Sequence, residues 1–267
     1  MSSVLIDVWN IRTFDNELLD ELQLYAQLVQ NYMNTEKRHF LEYVHADRRR
    51  PISSNPFHGH YLWLIEHIED YMKSRSIRAW HYTRLTDDEV EGIRHTGLYP
   101  STLETIRSRL DARVAAGDFS ADVADALFAA SPFQNKQQFA ARNHQFWMTS
   151  HPLGTDDSGV ELLLGNWGGE SVYFWLQDNF LEGLVSCIGR PRVLEIVVPI
   201  DATNHAYSAA KAVLGAFGLT LGCSPDRGAF DLYCKNPLGP EKILAIHTEG
   251  ETFFTNLGSI TERALTS

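Results

Sequence analysis

Basic side chains are scarce in this chain of 267 residues: 23 Lys and Arg stand against 34 Asp and Glu, a formal net charge of −11. Gripping nucleic acid by bulk charge needs clustered cations to neutralise phosphates, so the acidic balance argues against that class of binder, though not against a local basic patch. The one basic run, Arg48-Arg49-Arg50 before Pro51, reads first as a solvated loop between helices. Cysteine is scarce too. Cys187, Cys223 and Cys234 are odd in number, far apart and without a CxxC pair, which argues against a disulfide framework or a structural zinc site. No apolar run approaches the ~20 residues that cross a bilayer. The opening MSSVLIDVWNIRTFDNELLDE lacks the basic-then-apolar order of a secretory signal, and a cytoplasmic location is the expectation. Phosphate-cradling GxxxxGK[ST] and GxGxxG loops, the GxSxG nucleophile elbow and the HExxH zinc helix are also missing. Eleven histidines are present. The most suggestive group, His58-x-His60 with His67, has neither helical ligand spacing nor a carboxylate in register, so no metal is expected.

What is present is ordinary globular material, 44% hydrophobic, enough for one large domain or a domain with an appendage. From Asp15 to Val44, Leu18, Leu22, Tyr25, Leu28, Val29 and Tyr32 recur at helical spacing, with Asp15 or Asn16 as N-cap, giving one long helix or two shorter ones. RRRPISSNPFHGH interrupts, and Tyr61, Leu64, Ile65, Ile68 and Met72 resume the period. A helical region over residues 1–76 is expected, followed by a second domain over 77–267. That domain opens on IRAWHYT, Ile77 to Thr83, read as a buried strand. Thr86 and Glu89 then form a capping box, and Gly97 ends that helix. Residues 101–117 and 120–130 read as an αα insertion. HQFWMTSHP reads as a strand, VELLLGNWGGESVYFWL as a helix interrupted at Gly168-Gly169, and RVLEIVVPI as a strand of period two. A helix over 206–217 precedes two closing strands, GAFDLYCK and EKILAIHTE. The sum is an α+β fold with a mainly antiparallel sheet.

The order of these elements carries a resemblance. His81-Tyr82-Thr83 on the first strand, running into a helix that closes on IRHTGLYP, resembles the opening of ADP-ribosyltransferases, where a His-x-Thr strand precedes a helix and a GL-P turn. Phe146-Trp147-Met148-Thr149-Ser150 looks like their second element, an aromatic-led strand ending in Thr or Ser. RPRVLEIVVP resembles the next core strand, and AFDLYCKNPLGPEKILAI is similar to the closing pair. The likeness spans residues 77 to 248 and implies an ADP-ribosyltransferase-like split antiparallel sheet.

Residue by residue, the family's His-Tyr-Glu triad falls on His81, Trp147 and Asp231. Asp at the third position is shared with rifampin-modifying members, whereas Trp keeps a stacking face without the phenol. The resemblance implies NAD as co-substrate without metal, and transfer of ADP-ribose to a protein or nucleic-acid acceptor, as in toxins and defence effectors. Cleaving the nicotinamide–ribose bond creates an oxocarbenium-like cation, which needs a held conformation and a nearby negative charge. In that scheme His81 donates to an adenosine-ribose hydroxyl and the Tyr82 backbone holds the nicotinamide amide. Trp147 stacks on the ring, Asp231 accepts from the ribose 2′-hydroxyl, and Thr83 and Thr149 line the NAD side. Arg84 and Arg142 are the residues nominated for the pyrophosphate. Gly168-Gly169-Glu170 either lets backbone approach the ligand or breaks a helix. The helical N-terminus is left to recognise a target, hold an inhibitor protein or cover the site. Two other readings share the fold: a silent nucleotide- or protein-binding module, and RNA 2′-phosphotransferase chemistry, against which the acidic balance counts. The enzymatic reading requires imidazole, indole and carboxylate to line one cleft.

Overall fold

The computed structural model describes residues 4–45, 54–225 and 229–257. In chain order the elements are β1 (Leu5–Ile6), α1 (Asn16–Leu24), α2 (Ala26–His45), α3 (His58–Lys73), β2 (Ser76–Leu85), α4 (Asp87–Thr96), α5 (Leu103–Ala116) and α6 (Ala121–Ala130). There follow α7 (Lys136–Arg142), β3 (Phe146–Thr149), α8 (Glu161–Gly165), α9 (Glu170–Tyr173) and α10 (Asn179–Cys187). The chain continues with β4 (Arg190–Pro199), α11 (Ala206–Thr220), β5 (Asp231–Cys234), β6 (Ile243–Thr248) and α12 (Thr252–Thr255). The fold is mixed α+β with one open sheet. The Arg48-Arg49-Arg50 run lies outside the described residues. Among the described residues no helix is long and apolar enough to cross a membrane.

The chain divides into two compact units, one holding the described residues up to Arg78 with Val198–Asp231, the other Ala79–Val197 with the described residues from Leu232. The division differs from a cut at residue 76, because the 198–231 segment belongs with the N-terminal helices. Its α11 is rich in small residues: Ala209, Ala210, Val213 and Leu214 are fully buried, and the helix packs chiefly on α3. A Cβ on Gly218 would collide with the Met33 sulfur of α2, so the close approach there requires glycine. Of the two readings of the N-terminal helical stretch, the structure shows two helices, parted at Tyr25. Asp15 caps α1 by accepting from the Leu18 amide at 3.0 Å and also takes a bidentate ion pair from buried Arg75, at 2.7 and 2.8 Å. In this unit β1 pairs in parallel with the start of β2, Leu5 opposite Ser76.

The sheet, most of whose residues belong to the second unit, runs β5-β3-β2-β4-β6. β2 and β3 are antiparallel with Trp80 opposite Thr149, and β4 and β6 are antiparallel from Arg192 opposite Thr248. β4 does not show the expected period of two: Pro191 to Ile196 are all buried, because both of its faces are covered. The capping box of α4 is formed, and its Glu89 is a hub. Glu89 Oε2 accepts from the Thr86 amide at 3.0 Å and from the indole N–H of buried Trp167 at 2.8 Å. Its Oε1 takes the Arg109 guanidinium at 2.8 Å, and that guanidinium lies 5.0 Å from the Trp167 ring centre. Around Trp167 gather Leu110 of α5, Leu127 of α6 and Val185 of α10, so the helical insertion has its own core.

Candidate active site

His81 sits in the middle of β2, half-buried. Its Nδ1 lies 2.8 Å from the carbonyl oxygen of Trp147, which only accepts, so Nδ1 carries the proton and donates. Burial pushes the imidazole pKa down to about 4; the Trp147 carbonyl opposes this and the Arg109 charge adds to it. Part of the ring remains open to solvent, and desolvation of the rest outweighs the pull of the Trp147 carbonyl. At neutral pH His81 is therefore neutral, with a bare Nε2 lone pair. That reverses the donor role expected from the sequence: this tautomer accepts a hydrogen bond at Nε2.

The ring that meets the imidazole is Phe146, with centroids 4.4 Å apart. Trp147 turns its indole onto Tyr233 of β5, with centroids 4.7 Å apart, and remains 41% exposed. Consecutive strand residues point to opposite faces. Imidazole and Phe146 thus share one face of β3, while the indole occupies the other. The expectation that imidazole and indole line one cleft is not met, and Phe146 is the aromatic that sequence reasoning passed over. The signal was there in the alternation FWMT, where Phe146 and Met148 fall together.

Asp231 is exposed as the first residue of β5, two positions from Tyr233 and so on the same side of that strand. Its charge is felt by His205, whose pKa burial lowers and Asp231 partly restores; the His205 ring stacks on Phe230 at 6.4 Å.

The remaining nominated residues are largely committed to the fold. Tyr82 is buried, its hydroxyl accepting from the Leu153 amide at 2.6 Å and donating to the Leu153 carbonyl at 3.0 Å. Thr83 is buried, and Thr149 donates its hydroxyl proton to the His151 carbonyl at 2.9 Å. Arg84 gives its Nε to the Ile188 carbonyl at 2.7 Å and an outer nitrogen to Leu164 at 3.4 Å. Arg142 pairs with Glu170 and Gln138 and lies 4.9 Å from the Phe174 ring centre. Both arginines are thereby drawn away from the pyrophosphate role expected of them. Gly168 and Gly169 have φ of 88° and 62°, and a Cβ on Gly168 would strike Val172, so this turn serves the break between α8 and α9. An open cleft of about 520 Å³ is lined by Ser131, Gln134, Asn135, Trp175 and Gln177, none of them a motif residue.

Among the described residues no group of His, Cys, Asp or Glu can hold a metal ion; His67, counted with His58 and His60 above, pairs with Glu21 instead. No family model, curated protein or solved structure matches the chain.

Proposed function

We propose that the second unit carries an NAD site of the ADP-ribosyltransferase kind, cleaving the nicotinamide–ribose bond and passing ADP-ribose to a macromolecular acceptor. The observation that carries this reading is the adjacency of the three motif strands. β5, β3 and β2 are neighbours in the sheet although the last motif follows the first by 150 residues, Asp231 after His81. At their centre stands a neutral histidine whose tautomer is fixed by Trp147 and whose free nitrogen accepts from a ribose hydroxyl. Phe146 supplies the flat face beside it, and NAD brings the leaving group. His81 orients the sugar, and the Phe146 ring excludes water from one side of it.

A second reading, a silent nucleotide-binding module, is favoured by one specific observation: the indole of Trp147 lies on the face away from the imidazole, and Asp231 falls on the side of Tyr233, which meets that indole, so the mapped triad is not assembled on one surface. Incubating the protein with NAD separates the two. Nicotinamide release that disappears in His81→Ala supports transfer; saturable NAD binding without release supports the silent module. If neither binding nor release occurs, both readings fall.

A further inference from the structure

One side of the first unit bears a ladder of rings that the proposed chemistry leaves idle. Along α3, Trp63, His67 and Tyr71 recur every four residues and fall in one line. The His67 ring stacks on Trp63 at 5.2 Å and 7°, and Tyr71 meets it edge-on at 5.3 Å. From the end of α1, Tyr25 stands edge-on to Trp63 at 5.6 Å and to His67 at 5.8 Å. Glu21 locks the set: its Oε1 accepts from His67 Nε2 at 2.6 Å and its Oε2 from the Tyr71 hydroxyl at 2.9 Å. The outer side is open, with Trp63 49% and Leu24 75% exposed. Charge on these two helices is mostly negative: Glu17, Asp20 and Glu21 lie on α1 and Glu66, Glu69 and Asp70 on α3, against one cation on the helices, Lys73 of α3, with Arg75 two residues beyond it. Both cations are spent, Lys73 on Asp70 at 2.8 Å and buried Arg75 on Asp15 at 2.7 Å.

We propose that this face docks a basic segment of a partner protein, an arginine guanidinium lying flat on Trp63, a second basic side chain meeting Asp20 or Glu66, and an aliphatic one covering Leu24. The sign of the charge selects this occupant. Nucleic acid and anionic membrane are repelled, and a second copy of the chain would set the same carboxylates against themselves. The stacked and hydrogen-bonded rings are already ordered, so binding costs little further side-chain entropy, which is what an anchor needs. This inference does not depend on the NAD reading.

The test uses the full chain and a labelled amphipathic peptide of about 20 residues built from Arg, Leu and Ala, with a control in which Glu replaces Arg. Anisotropy should show binding at roughly 10 μM that weakens with added salt, while the acidic control stays free. Trp63→Ala, and separately Asp20→Lys with Glu66→Lys, should each weaken it about tenfold; Trp63→Phe should retain most of it. Phe40→Ala, at an exposed site on α2, should change nothing, and circular dichroism checks each fold. No binding up to roughly 1 mM, equal binding of the acidic control, or indifference to the Trp63 and charge variants would overturn the proposal. So would a dimer in sedimentation that Trp63→Ala dissolves, since the occupant would then be a second copy.

Discussion

His81 Nδ1 stands 2.8 Å from the Trp147 carbonyl oxygen, and this contact fixes which imidazole nitrogen is free for chemistry. With its pKa at about 4, His81 folds neutral while the unfolded chain titrates near the ordinary imidazole value of 6.5. A depressed histidine pKa means the unfolded state takes up the proton first. The stabilising contribution is therefore complete above pH 6.5 and is lost as pH falls toward 4. Solvent at the ring edge discounts its size to roughly 2 kcal/mol. Urea melts at pH 7 and pH 4.5 should show wild type losing more stability between the two than His81→Gln. A two-dimensional nitrogen–proton spectrum should show the Nδ1–H tautomer; an Nε2–H tautomer would remove the basis for the acceptor role.

Phe146 and Trp147 make opposite demands on the same experiment. If the face shared with His81 is the NAD face, Phe146→Ala should weaken NAD binding about tenfold or more, a stacking ring being worth roughly 0.5–1.5 kcal/mol beyond its buried area. Trp147→Ala should change it by less than about threefold. Isothermal titration of both variants decides the point, and the reverse ranking would return the stacking role to the indole.

The fold was more legible than the site, for a physical reason. Capping chemistry is local: Asp15, the Thr86–Glu89 box and Gly97 announce helix ends through bonds that span three or four residues. The strands bearing His81, Trp147 and Asp231 were equally readable from β-branched and aromatic content. Which face each side chain takes was not, because a strand of four residues such as Phe146–Thr149 exposes a different aromatic on each side and its register is set by distant partners. The packing of α11 against the N-terminal helices was hidden for the same cause, since Ala and Gly enrichment announces close approach without naming the neighbour. Arg84 and Arg142 looked like phosphate ligands only while Ile188, Glu170 and Phe174 were out of sight.

Glu89 offers a stability test that leaves the proposed site residues untouched. Its carboxyl is buried, which alone would raise its pKa, but Arg109, the Thr86 amide and the Trp167 indole together hold it below the usual range. Glu89→Ala strands the Trp167 N–H and the Arg109 charge in a partly dry setting and should cost about 3 kcal/mol. Glu89→Gln keeps the hydrogen-bonding atoms and should cost less. Urea unfolding would rank them, and because the folded pKa is depressed, the wild-type advantage should shrink as pH drops below the ordinary carboxylate range.

Gly97 closes α4 with φ of 87°, a backbone region that side-chain-bearing residues avoid, and its amide donates to the Ile93 carbonyl at 2.9 Å. A Cβ there would land on the Leu238 carbonyl, the same group that accepts from the Leu98 amide at 2.8 Å in an isolated antiparallel bridge. Gly97→Ala thus combines left-handed strain with a backbone collision, and should cost roughly 2–3 kcal/mol. Gly117, which ends α5 with φ of 82° but has open space at its Cβ, supplies the comparison. Gly117→Ala carries the strain alone and should cost about 1 kcal/mol. Equal losses in thermal melts of the two variants would show that the contact with Leu238 adds nothing, and that the turn joining α4 to the segment after β5 is looser than its geometry implies.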